Sequence, residues 1–419
     1  MHAAPLILAL GAAAAPGESA VKQEPIRQVL TDVERNVRVE HWSISSDEVD
    51  PAAKAPWRIE KDVLHGGRQE GVDRIRVGNG ALSFTIIPTR GMNLWTGQCG
   101  DVRLGWDSPV REVVHPSLVN VSDRNGLGWL EGFGEWINRC GLASNGAAGE
   151  DKVRSNTGSI VPVQLSLHGK VSYIPARRVE VVVERGEKTT IRVRGVVDET
   201  MMFGTQLRMT SETSTEIGSR SLTVEDTIEN LSATPQEFQV LYHANFGKPI
   251  LGDGAEVVAP ALRVAPRDPR AAEGGVAGWN RYGPPTAGYL EQVYFLKLAA
   301  DAAGKSEVLL QNAAGDRGVS MMFSTKELPC FTVWKNTAAE ADGYVTGLEP
   351  ATNFPNNRSF ERKNGRVPVL KGGESYRASF TVTTHLDQAA VAAARGRVEK
   401  LRTGIKTQLE GAPAADLSP

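Results

Sequence analysis

Between Ser159 and Gly247 the chain offers one short β-prone run after another. "SIVPVQLSLHG", "RRVEVVVERG", "TTIRVRGVVDET", "RSLTVEDTIEN" and "QEFQVLYHANFG" each combine β-branched or aromatic residues with partial period-two alternation, and polar or glycine-containing breaks separate them. A chain so patterned cannot bury its apolar faces as a helix bundle. The pattern predicts a large antiparallel β-sandwich or barrel with few, short helices. Similar runs begin near Leu64, and "RGVSMMFSTKELPCFTVWKN" and "GESYRASFTVTTHL" extend them, so the β domain is expected over residues 65–385. With 419 residues, 43 Gly and 23 Pro, the chain has length for one large β domain and turn residues for many hairpins. Blade-like repeats are not visible, which disfavours a propeller.

Outside that domain the expectations are looser. "EPIRQVLTDVERNV" reads as one helix, and residues 21–64 as a peripheral extension. Residues 107–156, rich in Gly, Trp and Asn, read as long loops with one or two short helices. "DQAAVAAARGRVEKLRTG" has Ala-rich helical character, residues 386–419 form a C-terminal helix and tail, and the closing "APAADLSP" is expected to be disordered. In residues 1–20, "PLILALGAAAAP" resembles the apolar core of a secretory signal, although no Lys or Arg precedes it. Export to the periplasm or outside is the expectation, with a retained N-terminus and a cytoplasmic protein as the alternative. The segment is too short to span a membrane, and no later one reaches that length without charge.

Charge and cysteine usage exclude several functions. Lys plus Arg number 47 against 49 Asp plus Glu, so no basic excess calls for nucleic acid. Cys99, Cys140 and Cys330 are far apart and form no CxxC pair, which argues against thiolate zinc and against a disulfide scaffold. No glycine-rich fingerprint follows a strand and opens a helix, and no GxSxG elbow occurs. No cofactor motif is present. Oligomeric state is not legible.

Four places interrupt the β pattern with chemistry-bearing side chains. His168 ends a run just before Gly169. His243 lies in an apolar, aromatic run with Asn245 two residues on, which puts both on one strand face. "GYVTGLEPATNFPNN" carries Glu349, Asn353 and, just beyond, Arg358. "GFGEWINRCGLASNG" carries Glu135, Asn138 and Arg139. Each also has a plain structural reading: a strand-end histidine, a hydrogen-bonded core imidazole, a solvated turn carboxylate, a salt-bridged arginine. Three-dimensional metal binding by the two histidines and Glu349 is open, but no local spacing forms a metal motif. Trp279, in a loop with Asn280 and Arg281, is a candidate stacking platform for a ring-shaped ligand. Trp129 and Trp136 are others, and all could equally be core residues.

"LSLHG", "TVEDTIENLSATPQEFQVLYHANFG" and "GYVTGLEPATNFPNN", in this order, resemble segments of the galactose mutarotase-like group, the aldose 1-epimerases and their relatives. "EWINRCGLASNG" stands where that group has an Arg-containing substrate loop. "PTRGMNLW" and "GLEPATN" point to a poorly characterised branch. The resemblance covers roughly residues 65–385 and implies a carbohydrate substrate and no cofactor. It implies that His243 protonates the sugar ring oxygen and that Glu349 takes the anomeric hydroxyl proton. His168 would hold the substrate and share the acid role, and Arg139 would bind a hydroxyl. Asn138, Asn245, Asn353, Arg358 and Trp279 would complete or shape the pocket. The group's substrate-orienting Asp has no match, and Tyr242 precedes His243 where the group has Asn; both departures leave the sugar open. Two further readings stand beside isomerisation. A lyase or glycosidase would pair Glu349 with Glu131 or Glu135, and a non-catalytic sugar-binding module would use the same groups only to bind.

Overall fold

A computed structural model describes residues 24–419, apart from residues 52 and 54. The proposed signal segment lies outside the described residues. The chain forms two large, mainly antiparallel sheets, one of ten strands and one of thirteen, packed face to face. In the ten-stranded sheet the alternation seen in the sequence becomes burial. Along Thr190–Thr200 and Ser221–Asn230 every second residue is buried, and the intervening polar residues face outward. The buried set, including Val193, Val197, Val224, Ile228, Phe380 and Val382, meets Ile86, Leu94, Tyr242 and Leu348 of the other sheet in one core.

The thirteen-stranded sheet differs at its centre. Ile137–Leu142, Gln239–Phe246 and Val345–Ala351 are buried at every position. One face of these strands lies on the core. The other is roofed by loops, which lets polar side chains sit there away from bulk water.

The structure corrects two sequence expectations at the ends of the chain. "IRQVLTD" is not helical: Ile26–Asp32 is a strand of the ten-stranded sheet, paired antiparallel with Arg178–Glu184. Its apolar spacing suits a turn of helix or a half-buried strand, and pairing with a valine-rich neighbour decides the matter. Trp42–Ser45 and Arg58–Val63 join the thirteen-stranded sheet, and Leu30, Ile44, Trp57 and Ile59 enter the core. Residues 26–64 are therefore part of the sandwich rather than peripheral to it.

At the other end the helix Gln388–Leu401 forms as read, capped by the Asp387 carboxylate on the Ala390 N–H, with Val391, Ala394 and Val398 buried. The tail beyond it is ordered. Gln408–Leu409 pairs parallel with Ala261–Pro266. Asn356 and Arg366 donate to the carbonyls of Leu417 and Asp416, and Leu417 fills an apolar cluster with Phe295, Cys330 and Phe354. A plug that buries one leucine and satisfies the buried Asn356 donor explains the order that composition alone hides. Leu417→Ala should lower stability by about 2–3 kcal/mol. A fall of several degrees in thermal midpoint would show it, whereas a tail that merely lies on the surface would leave the midpoint unmoved.

Candidate active site

The loop-covered face of the central strands carries the candidate chemistry. His243 lies in Gln239–Phe246 directly across from Asn138, and Glu349 lies in Val345–Ala351 across from Thr332. His243 Nε2 and Glu349 Oε1 are 3.3 Å apart, and both side chains are almost fully buried. His168 follows the strand Ile160–Leu165 and stands in the left-handed region at φ 56°. That turn brings its ring to 5.4 Å from the His243 ring, centroid to centroid. Thus all three sequence-proposed acid/base residues meet in one place. Three aromatic rings enclose them. Trp129 lies 4.7 Å from His168, while Phe133 and Trp334 lie 5.1 and 5.3 Å from His243.

Hydrogen bonds fix which nitrogens are free. The Asn245 amide nitrogen donates to two carbonyls, those of Glu135 and His243, so its oxygen must face the imidazole. That oxygen lies 2.7 Å from His243 Nδ1, which therefore carries hydrogen and donates. His243 Nε2 is left to face Glu349. His168 Nδ1 lies 2.9 Å from the Asn145 carbonyl, so it too carries hydrogen, and its Nε2 is a free acceptor.

Burial then sets the protonation states. It pushes His243 well below the ordinary histidine value, with a smaller contribution from His168. It pushes Glu349 well above the ordinary carboxylate value, and the nearby Glu291 charge adds to the rise. His168 is lowered to about 4, again mainly by burial. Burial thus favours the uncharged form of each group, a neutral imidazole and a protonated carboxyl, with His243 Nε2 and Glu349 Oε1 3.3 Å apart. The shift at His168 also has a stability consequence. Its folded pKa lies below its unfolded value of about 6.5, so the unfolded chain binds the extra proton between about pH 6.5 and pH 4. Stability should hold above about 6.5 and fall as the solution is acidified toward 4. His168→Asn should flatten that slope in pH-dependent chemical denaturation; an unchanged slope would contradict a neutral buried His168.

The other sequence candidates divide by the face they occupy. Asn245 orients His243, as described. Asn138 is on the His243 face; its oxygen accepts from Ser172, and its amide nitrogen is buried with no partner among the described residues. Thr332 Oγ1, Glu349 Oε1 and Trp129 Nε1 are likewise buried without partners. Four polar groups around one imidazole are thus free to meet a ligand. Asn353 is one step removed: it exchanges amide hydrogen bonds with Asn145, whose carbonyl orients His168.

Three candidates need correction. Arg139 does not approach the ligand face. It pairs across the sheet with Tyr242 and points into the inter-sheet core, where it binds Asp226 at 2.7 Å, the Met92 carbonyl and Ser211. Period-two geometry requires this, because its neighbour Asn138 takes the site face. Arg358 is held by Asp151 at 2.6 Å and by the Ala143 carbonyl, and so ties the start of helix Arg358–Lys363 to the strand Gly149–Arg154. Trp279 is 7% exposed and belongs to the main core, which leaves no ring face for stacking. The possible second carboxylate Glu135 is also committed, fully buried against Arg90.

Sequence reading missed Phe133, Trp334, Glu291 and Arg267. Trp334 alternates with Phe331 and Val333 in "CFTVWKN", so parity with Thr332, opposite Glu349, could have placed it on the site face. Glu291 accepts from the Trp334 indole at 2.7 Å and from Arg267 at 2.9 Å, and so fixes the wall beside His243. It comes from an irregular loop end, and no local pattern marks it. Among the described residues no group of three His, Cys, Asp or Glu side chains is placed to hold a metal ion, and no helix is long and apolar enough to cross a membrane. Two wider clefts lie elsewhere. One of about 1150 Å³ is bordered by Lys170, Glu199, Phe203 and Arg362, and one of about 510 Å³ by Trp95 and Trp106. Size alone does not locate the chemistry here, because neither cleft is lined by His243 or Glu349.

Residues 69–384 match the family model described as a domain of unknown function, DUF4432. The chain belongs to that family. It is also similar to a Klebsiella pneumoniae protein of known structure named as a candidate aldose 1-epimerase. The two share 37% identity over 93% of this chain and 99% of that one, with a TM-score of 0.87. More distant structures share the fold. A galactose mutarotase-like protein from Clostridium acetobutylicum is 17% identical over 78% of this chain and 98% of its own, with a TM-score of 0.54. A candidate aldose 1-epimerase from Escherichia coli K12 is 13% identical over 75% and 100%, with a TM-score of 0.51. The chain thus shares the fold of galactose mutarotase-like proteins. No curated protein matches it.

Proposed function

We propose that this DUF4432 protein is an aldose 1-epimerase-like isomerase that interconverts sugar anomers by acid/base ring opening. The observation that carries the reading is the buried His243–Glu349 pair, 3.3 Å apart, with the far side of the imidazole locked by Asn245. A cyclic sugar carries its anomeric hydroxyl and its ring oxygen on the same carbon. Ring opening needs one proton to leave the hydroxyl while another arrives at the ring oxygen. Glu349 as carboxylate takes the first and His243 as imidazolium gives the second, through Nε2. The pair is then a neutral acid and a neutral imidazole, the state burial favours. That state faces the open-chain aldehyde. After rotation about the bond to the carbonyl carbon, His243 Nε2 takes the proton back from the chain hydroxyl. Glu349 protonates the carbonyl oxygen, and the ring closes as the other anomer. The cycle returns both protons and needs no outside acid. Each positioned transfer typically contributes about 10²–10⁴ in rate.

His168 is neutral near pH 7, so its free Nε2 suits accepting a hydrogen bond from a sugar hydroxyl better than supplying a proton. Asn138, Thr332 and Trp129 supply the unpaired groups that hydroxyls would satisfy, and the Trp129, Phe133 and Trp334 rings exclude water. Glycoside cleavage fits less well: Glu135 is locked to Arg90, and Glu291 already holds Arg267 and Trp334. Asn245→Leu should test the arrangement, because it frees the imidazole without touching either proton carrier. Turnover of freshly dissolved aldoses, followed by polarimetry, should fall about tenfold or more, with substrate affinity little changed. Unaltered turnover would remove the locked imidazole from the mechanism. Export remains a separate proposal resting on "PLILALGAAAAP". N-terminal sequencing of the protein from its host should begin beyond that stretch, and a retained Met1 would contradict it.

A further inference from the structure

The acid/base pair stands in a longer row of side chains. Asn138, in Ile137–Leu142, is the direct cross-strand partner of His243, in Gln239–Phe246. Glu349, in Val345–Ala351, is the direct partner of Thr332, in Cys330–Asn336. These four strands are neighbours in the thirteen-stranded sheet, and His243 Nε2 meets Glu349 Oε1 at 3.3 Å across the middle of them. Cross-strand partners project from the same face of a sheet. The site face therefore carries one line of polar side chains, in the order Asn138, His243, Glu349, Thr332. Phe295, opposite Thr332 on the following strand, ends the line with an apolar ring. The two outer members are unsatisfied. The Asn138 oxygen accepts from Ser172, which leaves Nδ2 a free donor, and Thr332 Oγ1 can donate or accept. Asn138 is 0% exposed and Thr332 1%, and a buried polar group without a partner is costly.

A pyranose presents its oxygens in a matching line. The ring oxygen and the anomeric oxygen share C1. Beyond the ring oxygen lies C5, which in a hexose carries C6 and its oxygen. Beyond the anomeric oxygen lies C2 with its own hydroxyl. One edge of the sugar therefore reads O6, ring oxygen, anomeric oxygen, O2. Neighbouring strands lie about 4.8 Å apart, so Asn138 is the next polar side chain of the row on the His243 side of the pair, and Thr332 is the next on the Glu349 side. With the ring oxygen at His243 and the anomeric oxygen at Glu349, the sugar can run along the row in one direction only. O6 falls to Asn138 and O2 to Thr332.

We propose that Asn138 and Thr332 are specificity residues that read the C6 and C2 oxygens, so that the substrate is an aldohexopyranose rather than a pentose or a 2-deoxy sugar. The direction of the sugar rests on the isomerase reading, which gives His243 the ring oxygen and Glu349 the anomeric one. The test takes whichever of glucose and galactose turns over faster, with its 2-deoxy analogue and the pentose that lacks only C6, xylose or L-arabinose. In the wild type, kcat/KM for each analogue should fall below that of the hexose about tenfold or more. Thr332→Val should bring the ratio of hexose to 2-deoxy sugar toward one and spare the ratio of hexose to pentose. Asn138→Ala should do the reverse; Ser172 keeps the Arg139 carbonyl as an acceptor in that variant. Thr332→Ser keeps a hydroxyl and should keep the discrimination at C2. General damage to the fold lowers all three rates together and does not cross the two ratios. Hexose turnover without preference over either analogue, ratios that fall together, or ratios that cross the other way overturn the proposal and leave the isomerase reading standing. A folded wild type that turns over none of these sugars overturns the isomerase reading. Calorimetric affinities of the same three sugars then decide the row: the same crossed pattern upholds it, and its absence overturns it.

Discussion

Glu349→Gln should reduce kcat for anomer interconversion by about 10²-fold or more while leaving KM within a few-fold of wild type. The amide keeps the size of the carboxyl and can still hydrogen-bond to His243 Nε2, 3.3 Å away. It cannot accept the anomeric proton, and it cannot return one. Stability provides a second readout that separates this loss from misfolding. Burial favours the neutral form of the Glu349 carboxyl, so a neutral amide of the same shape adds no buried charge. The thermal midpoint should stay level or rise. A variant that loses activity and also melts much earlier would point to a structural carboxyl. Full activity in a folded variant would remove Glu349 from the chemistry.

The second large effect is on folding. Arg139 and Asp226 form an ion pair with both side chains at 0% exposure, between the two sheets. Arg139 also donates to the Met92 carbonyl and to Ser211, while Asp226 Oδ1 has no partner among the described residues. Removing the guanidinium would leave a buried, uncompensated carboxylate. Breaking such a pair from one side typically costs about 3–5 kcal/mol. Arg139→Met should therefore give a strongly destabilised or insoluble protein. The double variant Arg139→Met, Asp226→Leu should recover much of the loss, because it removes both charges. A sugar-binding arginine predicts the opposite: a stable single variant with a raised KM, and no recovery from changing Asp226. The comparison tests directly which way Arg139 points.

That arginine also shows what the sequence disclosed and what it withheld. Runs such as "TTIRVRGVVDET" state their two faces outright, so the sandwich is legible wherever one face is wet. His243 and Asn245 share a face for the same reason, and the structure joins them by a hydrogen bond. Applied to "INRCGL", the same parity would have set Asn138 and Arg139 on opposite faces. Family resemblance instead drew both toward the ligand. Trp334 and Glu291 were missed because their role depends on loops that close over the sheet, and loop closure leaves no periodic mark. The N-terminal strand was ambiguous because seven residues of mixed apolar spacing fit either period, and only the valine-rich partner strand resolves it. The tail looked disordered by composition because one leucine and two donors to its carbonyls, Asn356 and Arg366, decide its order, and composition does not see single contacts.

The central claim is that paired proton transfers by His243 and Glu349 open and reclose an aldose ring. Anomer exchange measured by proton NMR tests it most directly, with the two anomeric signals of an equilibrated sugar resolved and the exchange between them read as a function of added protein. Exchange above the spontaneous rate should appear for at least one aldose or reducing saccharide, rise linearly with protein concentration, and vanish in Glu349→Gln. A panel of hexoses, pentoses, deoxy sugars and reducing disaccharides in which the folded wild-type protein leaves every exchange rate at its spontaneous value would contradict the account.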